Sequence, residues 1–583
     1  MNCNAADIRC VIADILEVPA DKLSNTTGIG DLPEWDSLAH MAIITTLEDE
    51  LGLHIPEEQI LTLNSVGEIV AFVHKNQLTE DTTHEKPPTD TKSTILNSSP
   101  GASYREASVV QTILQRAEET PAKAALIFEH DTLTYRQLSQ SIRHAASALR
   151  ARGVHAGDAI ALFAERTKSF FSCYLGVHLL GGVSVVLDPD IKDEALQYII
   201  ERTKPAYIVG SGEKASITYD SLLVREVSAS EDYMMPPLDR VADIMFTTGT
   251  TGKPKGVQLT HANIAAAAHH INTFIGTNSK DVEVLALPIC RSFGLGRARC
   301  VLVQGGTLVL APGFSNPQKL FNIIHDYQAT GLAMVPAGWA YLHRMSGDKL
   351  AEYATHLRYM EFGSAAMPME TKQHLMRLFP NVRLCMHYGL TEASRSTFIE
   401  FHSESTHLES VGKPSPGVEV CICREDGSPA PSGTEGEICI WGHHVMKGYL
   451  NESSPTAFHG NYFRSGDWGM MDQDGYIFIR SRMKDIINVG GKKVNPEEVE
   501  NILNSIAGIS ECACVPAPDP QGVLGEVVKA VLVQDAGANK PTNDQVRSAV
   551  ATQLESYKVP AIIVWQDSLP RTDSGKLQRQ LIK

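Results

Sequence analysis

Asp243-Ile-Met-Phe246 runs directly into Thr247-Thr-Gly-Thr-Thr-Gly-Lys-Pro-Lys-Gly256. An apolar run that ends in glycine, hydroxyl and lysine reads as a strand delivering a loop to an anion. Glycines let backbone N–H groups come close, threonine hydroxyls donate to the anion's oxygens, and Lys253 and Lys255 bring positive charge. The string is not a Walker loop, which needs G-x-x-x-x-G-K-[ST]; here Gly249-x-x-Gly252-Lys253 is followed by Pro254. The plain alternative is a flexible surface turn. Ten residues suited to one purpose, directly after a strand, favour phosphate.

Outward from that loop, short apolar runs alternate with helical stretches: 159–163, 183–187, 244–246, 284–287, 308–310, 332–335, 357–362 and 382–386. Such runs predict parallel strands covered by helices on both faces. Ligands of that architecture lie beyond the carboxyl ends of the strands, so the residues after each run are the candidates. Gly363-Ser364-Ala365-Ala366 is thin enough to pass beside a flat ring. In His387-Tyr388-Gly389-Leu390-Thr391-Glu392, Tyr388 suits stacking on a base, Thr391 a phosphate and Glu392 a divalent cation. Ser465-Gly466-Asp467 offers a carboxylate for paired sugar hydroxyls, and Arg482-Met483-Lys484-Asp485 a cation for ribose or phosphate. Lys576 closes Leu569-Pro-Arg-Thr-Asp-Ser-Gly-Lys576 on a glycine turn. Taken singly, each has an ordinary reading as packing, a salt bridge or a solvated charge.

The chain has 583 residues, Lys+Arg 51 against Asp+Glu 68, and a formal net charge of −17. With 43% hydrophobic and 20% charged residues it can bury a large core, which excludes a disordered, collagen-like or coiled-coil chain. The acidic balance argues against nucleic-acid binding, which needs clustered Lys/Arg. More than half of the excess sits in residues 1–78, with 13 Asp/Glu, 3 Lys/Arg and a net of −10. Apolar residues there recur at helical spacing: Ile8, Val11, Ile12, Ile15 and Leu16; Leu38, Met41, Ile44 and Leu47; and a third set over 66–73. Asp36-Ser37 stands where the N-cap of the second helix belongs. A small helical bundle follows. Residues 79–103, about half Thr, Ser or Pro, read as a linker. The eleven cysteines show no C-x-x-C pair and point to a reduced, cytoplasmic setting. The uncharged run 170–187 is split by Gly181-Gly182 and reads as helix, turn and buried strand, with no membrane span.

Together the strings resemble the adenylate-forming superfamily of acyl-CoA synthetases, luciferases and nonribosomal peptide synthetase adenylation domains. The likeness runs from Leu133-Thr-Tyr-Arg-Gln-Leu138 to the C-terminus, and five separated motifs stand in family order. Residues 1–78 resemble an acyl carrier protein, with Asp36-Ser37-Leu38 at its attachment site. The resemblance implies a multidomain chain: an all-α carrier bundle at 1–78, a flexible linker at 79–103, a large α/β adenylation core at 104–482 and a mobile α+β subdomain at 483–583. It implies ATP, Mg²⁺ and 4′-phosphopantetheine on Ser37 as cofactors. By resemblance Thr247, Thr248, Gly249, Thr250, Thr251, Gly252, Lys253 and Lys255 hold phosphates. Thr391 and Glu392 act at the reaction centre, Glu392 on Mg²⁺. Gly363, Ser364 and Ala365 with Tyr388 frame adenine, Asp467 holds the ribose, His387, Gly389, Ile479 and Arg482 also belong to the nucleotide site, and Lys576 bridges the carboxylate and the α-phosphate. Lys484 is the hinge, and Gly490 and Gly491 line the thiol tunnel.

Arg291, Phe293, Gly294, Leu295, Ala298 and Pro336 fall on the acyl pocket. Amino-acid-activating relatives carry Asp where Gly294 stands, so a plain carboxylic acid is expected. Relatives carry His or an aromatic where Arg291 stands. Two readings remain: Arg291, together with Arg297, pairs with a second anionic group on the substrate, or it is satisfied by a core acid. Three functions compete: a carrier ligase loading its own Ser37 or a separate carrier in polyketide or nonribosomal peptide biosynthesis, an acyl-CoA synthetase with a carrier appendage, and an inactive carrier-presenting scaffold. The expected partners are the acid, a phosphopantetheinyl transferase and a downstream synthase or acyltransferase.

Overall fold

The computed structural model describes residues 107–129, 131–223, 233–247, 254–424, 426–452, 457–490, 492–520, 524–571 and 577–582, and near the N-terminus 5–16, 18–28, 65–77 and isolated positions between 32 and 63. The chain forms two compact units, one of residues 1–419 and 441–457, the other of 420–440 and 458–583. The cut expected at 482/483 falls inside the second unit.

At the N-terminus the periodicity forms helices. Ala5–Leu16 is the first, and Ile8, Ile12 and Leu16, one turn apart, are buried with Trp35, Ile44, Leu47, Val66, Ile69 and Val73. Val11 and Ile15 pack beside them. The third stretch lies in helix Val66–Gln77. Leu38 and Met41, the expected attachment residue Ser37 and the expected linker 79–103 lie outside the described residues.

The first unit is built on two sheets. One has the strand order Gly448–Tyr449, Lys255–Thr260, Val241–Thr247, Val183–Leu187, Ala159–Phe163, Tyr207–Val209. The other has Lys413–Pro414, Thr397–Glu400, Arg383–Tyr388, Tyr359–Phe362, Gly331–Met334, Val282–Leu285, Thr307–Leu310, Ala124–Phe128, Asp131–Thr134. Every residue of Ala159–Phe163, Val183–Leu187 and Tyr359–Phe362 is buried. That explains why these strands read as continuous apolar runs rather than alternations. Helix Lys168–Leu180 ends at Gly181 in the left-handed conformation, φ 78°, and strand Val183–Leu187 follows. Among the described residues no helix is long and apolar enough to cross a membrane.

The sheets are mixed, and two of the runs expected to be parallel have an antiparallel neighbour. Val241–Thr247 pairs antiparallel with Lys255–Thr260, and Arg383–Tyr388 with Thr397–Glu400. The connections are short, and a parallel crossover needs about a dozen residues. Both antiparallel turns carry candidate loops.

In the second unit Glu435–Gly442 pairs with Tyr462–Met471, and that strand with Ile477–Arg482. Beyond them strands Ile509–Pro518, Glu526–Gln534 and Ile562–Gln566 form a three-stranded sheet. Cys512, Cys514 and Leu532 from this sheet share a core with Val499 and Leu503 of helix Pro496–Asn504 and Val546 and Val550 of helix Asn543–Ala551. The two cysteines serve there as small apolar residues.

Candidate active site

Within the first unit, several candidates meet at the ends of the antiparallel pairs. Thr247 stands opposite Lys255 in register, at the mouth of the threonine-glycine loop. Lys255 Nζ lies 4.7 Å from the centroid of the Tyr449 ring and 3.7 Å from Glu452 Oε2. Tyr449 OH donates to Glu392 Oε1 at 2.8 Å. Burial first, then the neighbouring carboxylate, pushes the Tyr449 phenol well up, so it stays a donor. Glu392 is 9% exposed, and its backbone carbonyl accepts from Met446 N at 2.8 Å. Among the described residues no partner engages Glu392 Oε2. An unengaged carboxylate oxygen beside a phosphate-type strand pair is the donor a hard dication takes, so Glu392 fits Mg²⁺. Next to it, Thr391 Oγ1 donates to Ser292 Oγ at 3.4 Å.

Behind these groups lies a closed ionic network. Arg297 is fully buried; its Nε donates to Glu283 Oε1 at 2.9 Å, a second bond reaches Glu283 Oε2, and NH1 lies 3.2 Å from Glu361 Oε2. Arg395 Nε donates to Glu361 Oε1 at 3.1 Å, and its NH1 and NH2 donate to the carbonyls of Ser292 and Phe293 at 3.2 and 2.9 Å. Burial alone would raise the Glu361 carboxyl, but Arg395 and Arg297 outweigh it and hold it far below the usual range. His387 Nδ1 lies 2.7 Å from Glu361 Oε1, and burial lowers the imidazole, so the ring is neutral. Phe293 meets His387 edge to face, with centroids 4.7 Å apart.

Gly363 presses on that ring: a Cβ there would fall 2.1 Å from His387 Cε1. Ser364 follows at φ 71° and is exposed together with Ala365. Tyr388, 9% exposed, closes the strand that carries His387, and Gly389 turns against the backbone of Arg395. The thin loop thus presents an open edge above a rigid charged floor.

The pocket candidates separate. Arg291 is the N-cap of helix Ser292–Val303 and lies at the surface, 60% exposed, with NH2 donating to Asp188 Oδ2 at 3.0 Å. Arg297, coupled with Arg291 in one reading of the sequence, is not available: it is fully buried, with Nε and NH2 bonded to Glu283 and NH1 3.2 Å from Glu361 Oε2 inside the core. A Cβ at Gly294 would fall 2.3 Å from the Pro288 carbonyl oxygen, so no Asp could stand there without moving the turn. Leu295 and Ala298 face an apolar cavity of about 10 Å³ with Val109, Ile113 and Phe171. A second small cavity, about 20 Å³, is lined by Ser292, Gly296, Arg299, Thr391 and His444 among others. Pro336 begins helix Pro336–Ser346.

In the second unit, Asp467 and Arg482 face each other across paired strands, with Arg482 Nε 2.7 Å from Asp467 Oδ1. Asp467 is 3% exposed and Gly466 beside it takes φ 71°. Ile479 lies half-buried on the same strand as Arg482. Gly490, at φ 57°, donates its N–H to the Leu524 carbonyl at 3.0 Å. Lys484 belongs to the single turn Met483–Asp485. Thr248, Gly249, Thr250, Thr251, Gly252, Lys253, Gly491 and Lys576 lie outside the described residues.

Sequence reasoning missed Tyr449, Ser292, Glu361 and Arg395. Glu361 and Arg395 stand two residues before Gly363 and three after Glu392, and for Glu361 charge inside the apolar strand Tyr359–Phe362 was a usable signal. Tyr449 gave none, because it reaches Glu392 only through the pairing of Gly448–Tyr449 with Lys255–Thr260.

Comparison with known proteins gives three family matches: "AMP-binding enzyme" over residues 113–450, "AMP-binding enzyme C-terminal domain" over 498–576, and "Phosphopantetheine attachment site" over 6–73. A feruloyl-CoA synthase of Amycolatopsis sp is 30% identical over 484 residues, covering 80% of this chain and 96% of that protein. A 2-succinylbenzoate–CoA ligase of Bacillus subtilis is 28% identical, covering 81% and 97%. The solved o-succinylbenzoate CoA synthetase of Bacillus subtilis, in complex with its acyl-adenylate intermediate, superposes with a TM-score of 0.72 at 28% identity, covering 81% and 97%. ATP-bound MatB from Rhodopseudomonas palustris gives 0.73 at 27% identity, covering 82% and 98%.

Proposed function

The chain belongs to the AMP-binding enzyme family, and on that premise we propose that it activates a carboxylic acid with ATP and passes the acyl group to its own N-terminal carrier domain at Ser37. The observation that carries this reading is the attachment-site match over residues 6–73 in the same chain as a full adenylation module. Three family activities are acid–thiol ligations or their adenylate step, as the relatives' names state.

In the first step the acid's carboxylate oxygen attacks the α-phosphorus of ATP; the bond to the β-phosphate oxygen breaks and pyrophosphate leaves. Thr247, Lys255 and the residues between them hold the departing phosphates. Glu392 would hold Mg²⁺, which would supply positive charge against the negative charge of the phosphates. Tyr449 fixes Glu392 by its hydrogen bond and keeps the carboxylate oriented. Arg395 holds the Ser292 and Phe293 carbonyls, so the start of helix Ser292–Val303 stays next to Thr391. Asp467 suits the ribose hydroxyls, with Arg482 Nε paired to its Oδ1. Lys576 supplies the cation between carboxylate and α-phosphate, where loss of one such group typically lowers the rate about 10²–10³-fold.

The bundle fits a carrier: Trp35, two residues before Ser37, is completely buried and fixes the chain just ahead of the attachment point. When attached, phosphopantetheine supplies a thiol that accepts the acyl group, and AMP leaves. A linker of some 25 residues has a coil span of about 25–30 Å, and tethering raises the local thiol concentration to the order of mM.

The test is intact-mass analysis of the pantetheinylated chain given ATP and a panel of acids. An acyl mass added in wild type and absent in Ser37→Ala supports the proposal. AMP release with saturable dependence on free CoA, unchanged in Ser37→Ala and with no mass added to wild type, would make the protein an acyl-CoA synthetase instead. No mass shift and no AMP with any acid would leave the scaffold reading.

A further inference from the structure

One cluster of ligand-type side chains stands apart from every residue assigned above. His343 lies in the last turn of helix Pro336–Ser346. Gly347 takes φ 59° and turns the chain back, which brings Asp348 under the helix end. Helix Met369–Leu378 supplies His374. Asp348 Oδ1 lies 3.2 Å from His343 Nδ1 and 2.7 Å from His374 Nε2. One ligand atom from each of the three lies within 4.8 Å of the others. The two imidazole centroids are 5.0 Å apart.

We propose that His343, Asp348 and His374 form a binding site for a zinc-class divalent transition-metal ion. Two imidazole nitrogens and one carboxylate oxygen make a donor set of borderline softness, which suits Zn²⁺, Ni²⁺ or Co²⁺ rather than Mg²⁺ or Ca²⁺. Three protein ligands and an open fourth position is a known tetrahedral arrangement. Bond lengths near 2.1 Å put tetrahedral ligand atoms roughly 3.3–3.5 Å apart. The His343–Asp348 separation of 3.2 Å is already close to that. The His374–Asp348 contact of 2.7 Å must open by roughly 0.6–0.8 Å, a rotamer adjustment for side chains that are 28% and 48% exposed. Those exposures also leave the site open to an ion from solvent. The competing account is a hydrogen-bonded triad, with Asp348 bonded to His374 and His343 Nδ1 bonded to the Gly347 carbonyl at 3.3 Å beside it, and the two accounts differ in what added metal does.

The ion would clip together two helices that begin close to the catalytic loops. Helix Pro336–Ser346 starts at pocket candidate Pro336, and helix Met369–Leu378 follows the Gly363–Ala366 loop. Trp339, 2% exposed, stacks on His343 with centroids 5.6 Å apart and lies 6.3 Å from His374. It is therefore a built-in reporter for a paramagnetic ion.

The test uses the full chain, stripped with a chelator and titrated with Zn²⁺ by calorimetry. The chain has 21 histidines, so the criterion is the difference between wild type and variants. One equivalent should bind in wild type and disappear in His343→Ala, Asp348→Asn and His374→Ala. Loss of a second-shell partner already weakens metal sites roughly 10- to 100-fold, and loss of a ligand should do no less. Ni²⁺ should quench tryptophan fluorescence in wild type, not in His374→Ala, and Trp339→Phe should remove the quenching while keeping the Zn²⁺ equivalent. Far-ultraviolet circular dichroism confirms that each variant is folded. Identical isotherms for wild type and His374→Ala, or no equivalent bound at all, would overturn the site in favour of the hydrogen-bonded triad.

Discussion

Arg291 and Arg297 stand six positions apart, one at the lip of helix Ser292–Val303 and one in its buried middle. Arg291 is 60% exposed and meets one partly exposed acid, Asp188. Arg297 is wholly buried between two acids, and Glu361 passes the network on to Arg395 and His387. The same residue type on the same helix thus serves opposite ends. Desolvation makes the inner guanidinium structural, because an unpaired buried charge is costly. Solvation leaves the outer one inexpensive to re-pair. Only Arg291 keeps a surface from which it could meet a second anionic group on a substrate.

The largest effect should come from breaking the inner network. Arg395→Met or Glu361→Gln leaves a partner charged and buried, so each should lower unfolding free energy by about 3–5 kcal/mol, read by urea denaturation. A loss below about 1 kcal/mol, the scale of an exposed pair, would erase the contrast between the two ends.

Acid should separate the same two regions. Burial holds His261 and His270 down at about 3, against an ordinary value of 6.5. His270 sits beside the network, its Nε2 3.2 Å from the Ser394 carbonyl. Because the folded values are depressed, the unfolded chain binds more protons in between; the stability is present above pH 6.5 and is lost as pH falls toward 3. At pH 5 each ring should cost about 2 kcal/mol. The urea midpoint should fall between pH 7 and pH 5, and His270→Gln should shrink the fall. A midpoint independent of pH in that interval would contradict the neutral burial of these rings.

A smaller effect tests the rim of the nucleotide site. Tyr449→Phe removes the hydrogen bond to Glu392 and keeps the ring under Lys255. A bond to a charged group is worth about 1.5–3 kcal/mol at most, and the loss should fall mainly on the apparent affinity for Mg·ATP rather than on thermal stability. An unchanged KM for Mg·ATP would remove Tyr449 from the site.

The smallest stability effect belongs to Arg291→Leu, within about 0–1 kcal/mol. Its value lies in selectivity: activity should fall for acids carrying a second anionic group and hold for plain ones. An equal loss across all acids would place Arg291 outside the pocket.

The sequence made legible what depends on local pattern. Continuous apolar runs located the buried strands, and 3.6-residue spacing found Ala5–Leu16 and Val66–Gln77. Loop chemistry nominated Gly363, Thr391, Glu392 and Asp467 as candidates because glycine, hydroxyl and carboxylate are legible one residue at a time. What depends on pairing was hidden. The antiparallel pairing of Val241–Thr247 with Lys255–Thr260 shows only in the register of the two strands. The Glu283, Arg297, Glu361 and Arg395 network joins residues over a hundred positions apart. Arg297 was grouped with Arg291 because charge type is visible in sequence and burial is not.

One more consequence follows from Tyr449, whose ring face meets Lys255 while its hydroxyl meets Glu392. The phenol is an insulating spacer between a cation and an anion that would otherwise gain by collapsing onto each other. Held apart, with Lys255 also leaning on Glu452 at 3.7 Å, they form a dipole that a polyanion arriving with its counterion can complete from both sides. Phenylalanine would preserve the spacer without its anchor, whereas alanine would let the two charges short-circuit.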